Sequence, residues 1–418
     1  MTERVKELLE DFRNKRWEKI YTPYERLFEL TRNGDELVDF LESYLKTFKE
    51  TSTYFDDALS YIDAKQFSKL IQIAIKILQK EENENAENVI AYASLQFPEL
   101  LNEYLHLIFE LEPNTYTYYA QYPWRKCNSR SIQIFKKKLI NPELSQYDKE
   151  RLFKCLLETR DLETINFAYN FATEDKLIDN EAMLTLYLER VGFTIQNNTI
   201  KTYCPNQLYH LLFPKNYFPN DQPISINKEQ HPTWNLTPTS KKYKFGGILS
   251  DDEKNPFFHI FTLDNIPDGL NITELNVLVL GAHLRELNEC EAIFYQHNTE
   301  GKPSKIQSTD DDIEVYYDNP IKETYISCAV TPERWKFQDW GISNSRENLF
   351  RLGGEPTWIQ NAEVLKCPIC NEKMDFLMQL DSDLPTIQNG ELMFGSGGIC
   401  YVFWCNTSKV SGYTIQCT

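Results

Sequence analysis

The strongest constraint on this 418-residue chain is where its glycines fall. Residues 1–192 contain two, Gly34 and Gly192, with five prolines, while the remaining 226 residues hold thirteen glycines and fourteen prolines. Glycine weakens helix interiors and supplies the left-handed conformations that tight turns need. The first part therefore predicts helix, and the second predicts short strands and turns. The fold class that follows is α+β multidomain, with an all-α domain over 1–195 and a mostly β domain over 196–418.

Apolar residues in the first part recur at helical spacing. Leu37, Phe40, Leu41, Tyr44, Leu45 and Phe48 form one stripe, and Phe67, Leu70, Ile71, Ala74, Ile75 and Leu78 another. Asp35 stands where an N-cap is expected, after Asn33-Gly34. Later stripes run through Leu152, Leu156 and Leu157 and end on Met183, Leu184, Leu186, Tyr187 and Val191. Short helices with brief links fit a HEAT-like stack or an irregular helical domain. Arg125, Lys126, Arg130, Lys136, Lys137 and Lys138 form the one basic island, read as a solvated helix face or an anion contact.

From Tyr203 the texture changes to β-type runs: Tyr243–Leu249, Phe257–Leu263, Leu275–Leu280, Ala292–His297, Glu314–Tyr317 and Tyr325–Val330. Asp268-Gly269 and Glu300-Gly301 read as turns. Phe394-Gly395-Ser396-Gly397-Gly398 leads into the apolar run ICYVFWC rather than a helix, so it reads as a glycine turn and not as a phosphate loop.

The formal charge of −18 argues against nucleic acid, whose binding is dominated by Lys and Arg, and leaves a basic polypeptide as the complementary partner. The start, MTERVKELLEDF, is charged from its third residue and carries no secretory pattern, and no apolar run reaches the ~18 residues of a membrane span. A cytoplasmic location with reduced cysteines is the expectation.

Several segments together resemble the YwqG-like family, a bacterial domain of unknown function distantly related to the programmed-cell-death-two class of ribosomal-protein chaperones. They are HPTWNL (231–236), FGGIL (245–249), the surroundings of His259, RWKFQDWGISNSRENLFRLGGEPTWIQ (334–360), and then CPIC, FLMQLDSDLP and GSGGICYVFWC in order. The resemblance covers roughly residues 203–418 and none of the helical part. It implies a mostly β, cytoplasmic domain without established catalysis, whose relatives include chaperone-like shields and immunity-type factors. Such relatives often carry paired CxxC motifs in both sections of the β region, whereas here the first section has only Cys290.

Cys367-Pro-Ile-Cys370 has the spacing that lets two thiolates reach one Zn²⁺. A second pair roughly 12 to 35 residues further on would complete a four-thiolate site. Cys405 stands at that distance, but Ser408 occupies the position where the family pattern puts the second cysteine. Zinc held by Cys367, Cys370 and Cys405 competes with a metal-free knuckle and with redox use of the CxxC pair. With Ile399–Cys405 and Gly412–Cys417 read as a hairpin, Cys405 faces Gly412 and Cys400 faces Cys417. Cys417 then falls about 17 Å from Cys405, too far to be the fourth ligand.

Trp358, Gln360, Gln379 and Asp381 are the candidate protein-binding residues. Gln379 and Asp381 lie on one side of an extended segment and, converging with Trp358 and Gln360, would line a peptide groove. No nucleophile elbow, HExxH or paired-carboxylate motif appears, and no catalytic residue is assigned. The leading expectation is a non-enzymatic, cytoplasmic protein-binding module, immunity-type or chaperone-like. The alternatives are a hydrolase or other enzyme with its site in the β domain, and a structural zinc-binding regulatory protein.

Overall fold

The computed structural model describes residues 1–14, 26–27, 29–30, 34–50, 52–59, 61–111, 122–214, 216–218, 237–250, 256–284, 286–288, 291–306, 319–331 and 350–417. Among these the chain divides into two compact units, Met1–Tyr187 and the part from Leu188 onward. The expected run Glu314–Tyr317, the segment HPTWNL, Cys290 and most of 334–360 lie outside the described residues.

The first unit is helical, as its scarcity of glycine demands. Helices Gly34–Thr47 and Ala64–Leu78 bury the stripes Leu37, Phe40, Leu41, Tyr44, Leu45 and Phe67, Leu70, Ile71, Ala74, Ile75. Asp35 is not the N-cap; it lies inside the first turn that Gly34 opens, where a carboxylate favours the helix dipole. Met183 is exposed rather than a core residue. Much of the basic island is neutralised within its own unit. Arg125 and Glu158 form a buried pair at 2.6 Å, Lys136 meets Glu163 at 3.2 Å, and Lys138 meets Glu110.

The second unit begins with a hairpin of β1 (Phe193–Gln196) and β2 (Thr199–Thr202). Its large sheet starts with β3 (Leu208–Leu212), β4 (Lys242–Phe245), β5 (Ile248–Ser250) and β6 (Phe257–Leu263). It continues with β7 (Leu278–Ala282), β8 (Ile293–His297), β9 (Pro303–Lys305) and β10 (Thr324–Val330). Next come β11 (Arg351–Gly353), β12 (Asp375–Asp381) and a small ladder of β13 (Leu384–Pro385) with β14 (Glu391–Leu392). The chain closes with β15 (Ile399–Cys405) and β16 (Val410–Gln416).

Every pairing is antiparallel, in the order β5-β6-β4-β10-β3-β11-β12-β15-β16-β8-β9, with β7 on the other edge of β6. The sheet curls until its ends meet, because the Val279 N–H of β7 donates to the Gly301 carbonyl after β8 at 3.0 Å. Gly301 makes that approach possible: its φ is +75°, and a Cβ there would lie 1.9 Å from the Val277 carbonyl oxygen. The expected run Tyr243–Leu249 is two strands, since Gly246 and Gly247 both take positive φ and break it. Gly395–Gly397 form the expected turn into β15.

The core lies inside the curl, with Phe245, Phe261, Leu280, Tyr295, Met378, Val402, Trp404 and Tyr413 among its side chains. His297 is buried in this unit, its ring nitrogens on the Gly301 carbonyl at 3.1 Å and the Ser411 hydroxyl at 2.8 Å. Burial pushes its pKa down to about 4, so the native state holds it neutral. Unfolding frees it to take a proton at its ordinary value near 6.5, so its contribution is lost as pH falls from about 6.5 towards 4. Asp375, pushed up to about 6 by burial, works oppositely and favours the native state as pH falls through that value. The difference in unfolding free energy between the wild type and His297→Gln is therefore expected to narrow by on the order of 2 kcal/mol between pH 7 and pH 4.5. Urea melts at both pH values check this, and a constant difference contradicts it.

Candidate metal centre

The site grows out of β15. Alternation along the strand puts Cys400, Val402 and Trp404 in the core of the curled sheet. Tyr401, Phe403 and Cys405 then face the other way. All seven residues of β15 are buried, so that second face is covered as well. Part of the cover is Trp358, whose ring lies 4.7 Å from Tyr401 and stacks on Phe403 at 6.2 Å.

The CPIC turn caps a short hairpin over 365–374 that leads into β12. Met374 N–H donates to Leu365 O at 2.9 Å, Lys366 bridges to Lys373, and Cys367 N–H donates to Glu372 O at 2.8 Å. Asn371 N–H closes the turn on Cys367 O at 2.8 Å, with Asn371 itself at φ 59°. Lys373 anchors the hairpin through Glu189 at 2.7 Å and the Val364 carbonyl at 2.8 Å.

This brings the tip of the turn to the end of β15. The sulfurs of Cys367, Cys370 and Cys405 all lie within 4.8 Å of one another, and Cys370 Sγ stands 3.5 Å from Cys405 Sγ. Two thiolates sharing a tetrahedral metal at ~2.3 Å sit about 3.8 Å apart, so the three can hold one metal ion. Burial raises the Cys370 thiol, but hydrogen bonds from the Ser408 hydroxyl, the Glu372 backbone and the two neighbouring sulfurs outweigh it and lower its pKa. Burial dominates at Cys405 and pushes its thiol up to about 12, opposed by the Ser408 backbone N–H on its sulfur. Three thiolates crowded together repel one another, and a cation among them reverses that balance.

Cys417 takes no part in this cluster, as expected, but the register behind that expectation needs correcting. The hairpin is two residues tighter: Cys405 pairs with Val410 and Cys400 with Ile415, so Cys400 and Cys417 are not cross-strand partners. The left-handed Lys409, φ 51°, makes the shorter connection. Cys417 instead lies beside Gly395.

The four candidate protein-binding residues do not form an open groove. Trp358 and Gln379 are buried, at 1% and 0% exposure. Gln379 Oε1 accepts from Thr357 N–H at 2.8 Å and from Arg351 at 3.2 Å. Gln360 is exposed but tied down, its backbone N–H on Gln416 Oε1 at 3.1 Å and its amide on the Cys417 carbonyl at 2.6 Å. Asp381 is half-buried and accepts from Ser382 N–H at 2.8 Å. Period two did place Gln379 on the Trp358 side of the sheet, but the segment 354–360 fills the space a peptide would need. Arg351, missed in the sequence, is buried and holds that segment through Glu355 O and Thr357 Oγ1. Its only sequence signal is a charge inside an otherwise apolar strand. Gly353 makes the turn that follows, at φ +72°, where a Cβ would lie 2.2 Å from the Gln207 carbonyl oxygen.

Among the described residues no helix is long and apolar enough to cross a membrane. Comparison with family models, with curated proteins and with solved structures finds no match to this chain.

Elemental analysis of the chain purified under reducing conditions is expected to show about one metal ion per chain. Cys370→Ala is expected to lose it and to lower the melting temperature by roughly 4–8 °C, the equivalent of about 2 kcal/mol in a unit of this size. A metal-free wild type, or a variant melting with it, contradicts the centre. Gln379→Leu strips Thr357 N–H and Arg351 of a buried acceptor and is expected to cost about 2–3 kcal/mol in denaturant melts.

Proposed function

We propose that this chain is a non-enzymatic, cytoplasmic protein-binding module that shields a basic polypeptide client, in the manner of an immunity factor or a chaperone. On this reading the helical unit is a HEAT-like support, the β unit is YwqG-like, and zinc is the metal held by Cys367, Cys370 and Cys405. With three thiolates such a centre carries a net charge of about −1 with Zn²⁺, and that thiolate charge blunts its Lewis acidity.

The observation that carries the reading is β5. It ends the strand order, and all three of its residues are exposed, with Ile248 and Leu249 at 40% each. An exposed strand with apolar side chains is the surface onto which an extended peptide adds as a further strand. The sequence continues as Asp251-Asp252-Glu253, and the whole chain carries −18, so the complementary peptide is basic. The buried His259 and His297 also favour binding over acid–base chemistry. His259 has its ring nitrogens on Gly246 O and Thr262 Oγ1, both at 2.7 Å, and burial pushes its pKa down.

The test presents the immobilised chain with a peptide library sorted by net charge. Basic, alternating apolar–cationic peptides are expected to be retained and to elute with salt. Leu249→Lys is expected to reduce retention at least tenfold while leaving the melting temperature within about 1 °C, since the substitution touches an exposed position. Retention that ignores charge, or that survives Leu249→Lys, sinks the proposal.

A further inference from the structure

The two turns that meet at the metal centre are the same device used twice. Cys367-Pro-Ile-Cys370 is followed by the left-handed Asn371, φ 59°, and Cys405-Asn-Thr-Ser408 by the left-handed Lys409, φ 51°. Ser408 thus holds in the second turn the place that Cys370 holds in the first. Ser408 lies beside both sulfurs, its hydroxyl acting on the Cys370 thiol and its backbone N–H on that of Cys405. A neutral hydroxyl is a poor ligand for a metal that prefers sulfur and nitrogen.

Exposure shows which corner of the group is incomplete. Cys367 and Cys405 are buried, whereas Cys370 and Ser408 are both half-buried. The corner without a thiol is the one that reaches solvent. We propose that Cys367, Cys370 and Cys405 form a three-thiolate centre whose fourth position Ser408 leaves open, filled by an exchangeable water. Ser408 acts as a positioning residue: it steadies two of the sulfurs and does not bind the metal. This rests on the metal centre described above and adds that the centre accepts a monodentate ligand from solution.

Cobalt(II) in the full chain tests it, because its visible bands report the donor set and its sulfur charge-transfer intensity scales with the number of thiolates. The wild type is expected to bind about one Co²⁺ with the intensity of three thiolates, and added imidazole is expected to shift the visible bands saturably. Ser408→Ala is expected to keep both the spectrum and the shift. Ser408→Cys is expected to gain about one third in charge-transfer intensity, from three thiolates to four, and to stop responding to imidazole. A wild type that binds Co²⁺ but ignores imidazole overturns the open position alone, as does a Ser408→Ala spectrum that reveals a lost oxygen ligand. A wild type that binds no Co²⁺ removes the centre itself. If Ser408→Cys fails to fold, the wild-type titration and Ser408→Ala decide the matter.

Discussion

Strand β15 must be kept dry on both faces, and the rest of the second unit is arranged to do it. One face carries Val402 and Trp404 into the curled sheet, and the other carries Tyr401 and Phe403 beneath Trp358. Burying each large apolar side chain stabilises by about 1.5–3 kcal/mol, whereas an exposed ion pair contributes about 0–1 kcal/mol. The apolar cover therefore decides the path of the chain after β11. Among the polar groups trapped beneath it, Tyr401 OH donates to Thr357 O at 2.7 Å and accepts from Ile359 N–H at 3.2 Å. Arg351 and Gln379 do the same for the turn at Gly353 and Gly354.

How much of this was legible depends on the range of the signal. Period and turn chemistry are local, so helix Ala64–Leu78 and strand Phe257–Leu263 were readable residue by residue. The pairing of Cys367 with Cys370 was readable because their spacing is a local code, and Cys405 stood at the distance of a second pair; the departure at Ser408 was legible only through the family resemblance. The hairpin register was not. A two-residue shift keeps every side chain on the same face, so alternation could not distinguish Val410 from Gly412 as the partner of Cys405. The failure at Trp358 and Gln379 is of another kind. Alternation says which face a residue takes, but only tertiary packing says whether that face stays open.

The charges follow the same division between local and long-range. Arg125 and Lys373 are matched inside their units by Glu158 and Glu189, and the guanidinium of Arg351 is held by backbone and side-chain oxygens. Each internal ion pair cancels one cation and one anion together, so the net −18 is still expressed outward. A long-range field of that sign raises the encounter rate of a basic chain and repels nucleic acid. Affinity, in contrast, requires desolvated contacts, which on the proposed reading Ile248 and Leu249 would make with the client.

The thiol cluster sits where these two demands meet. It joins the far end of the cover over β15 to the turn after Cys405, yet no residue of the inner core belongs to it. A clasp at that point bears on local opening of the 365–374 hairpin as well as on global unfolding, because it ties the hairpin to the end of β15 while the curled sheet retains Trp404, Tyr413 and Tyr295 on its inner side. Its two buried sulfurs fix the hairpin against the sheet, and the half-buried Cys370 and Ser408 leave one corner in water. A fourth thiolate there would take the centre from about −1 to −2 with a divalent ion, inside a chain already strongly acidic and beside Glu372, whose carboxylate accepts from Thr407 at 3.3 Å. Serine in that place adds no charge to the centre, which is a physical reason for the second turn to carry a hydroxyl where the first carries a thiol.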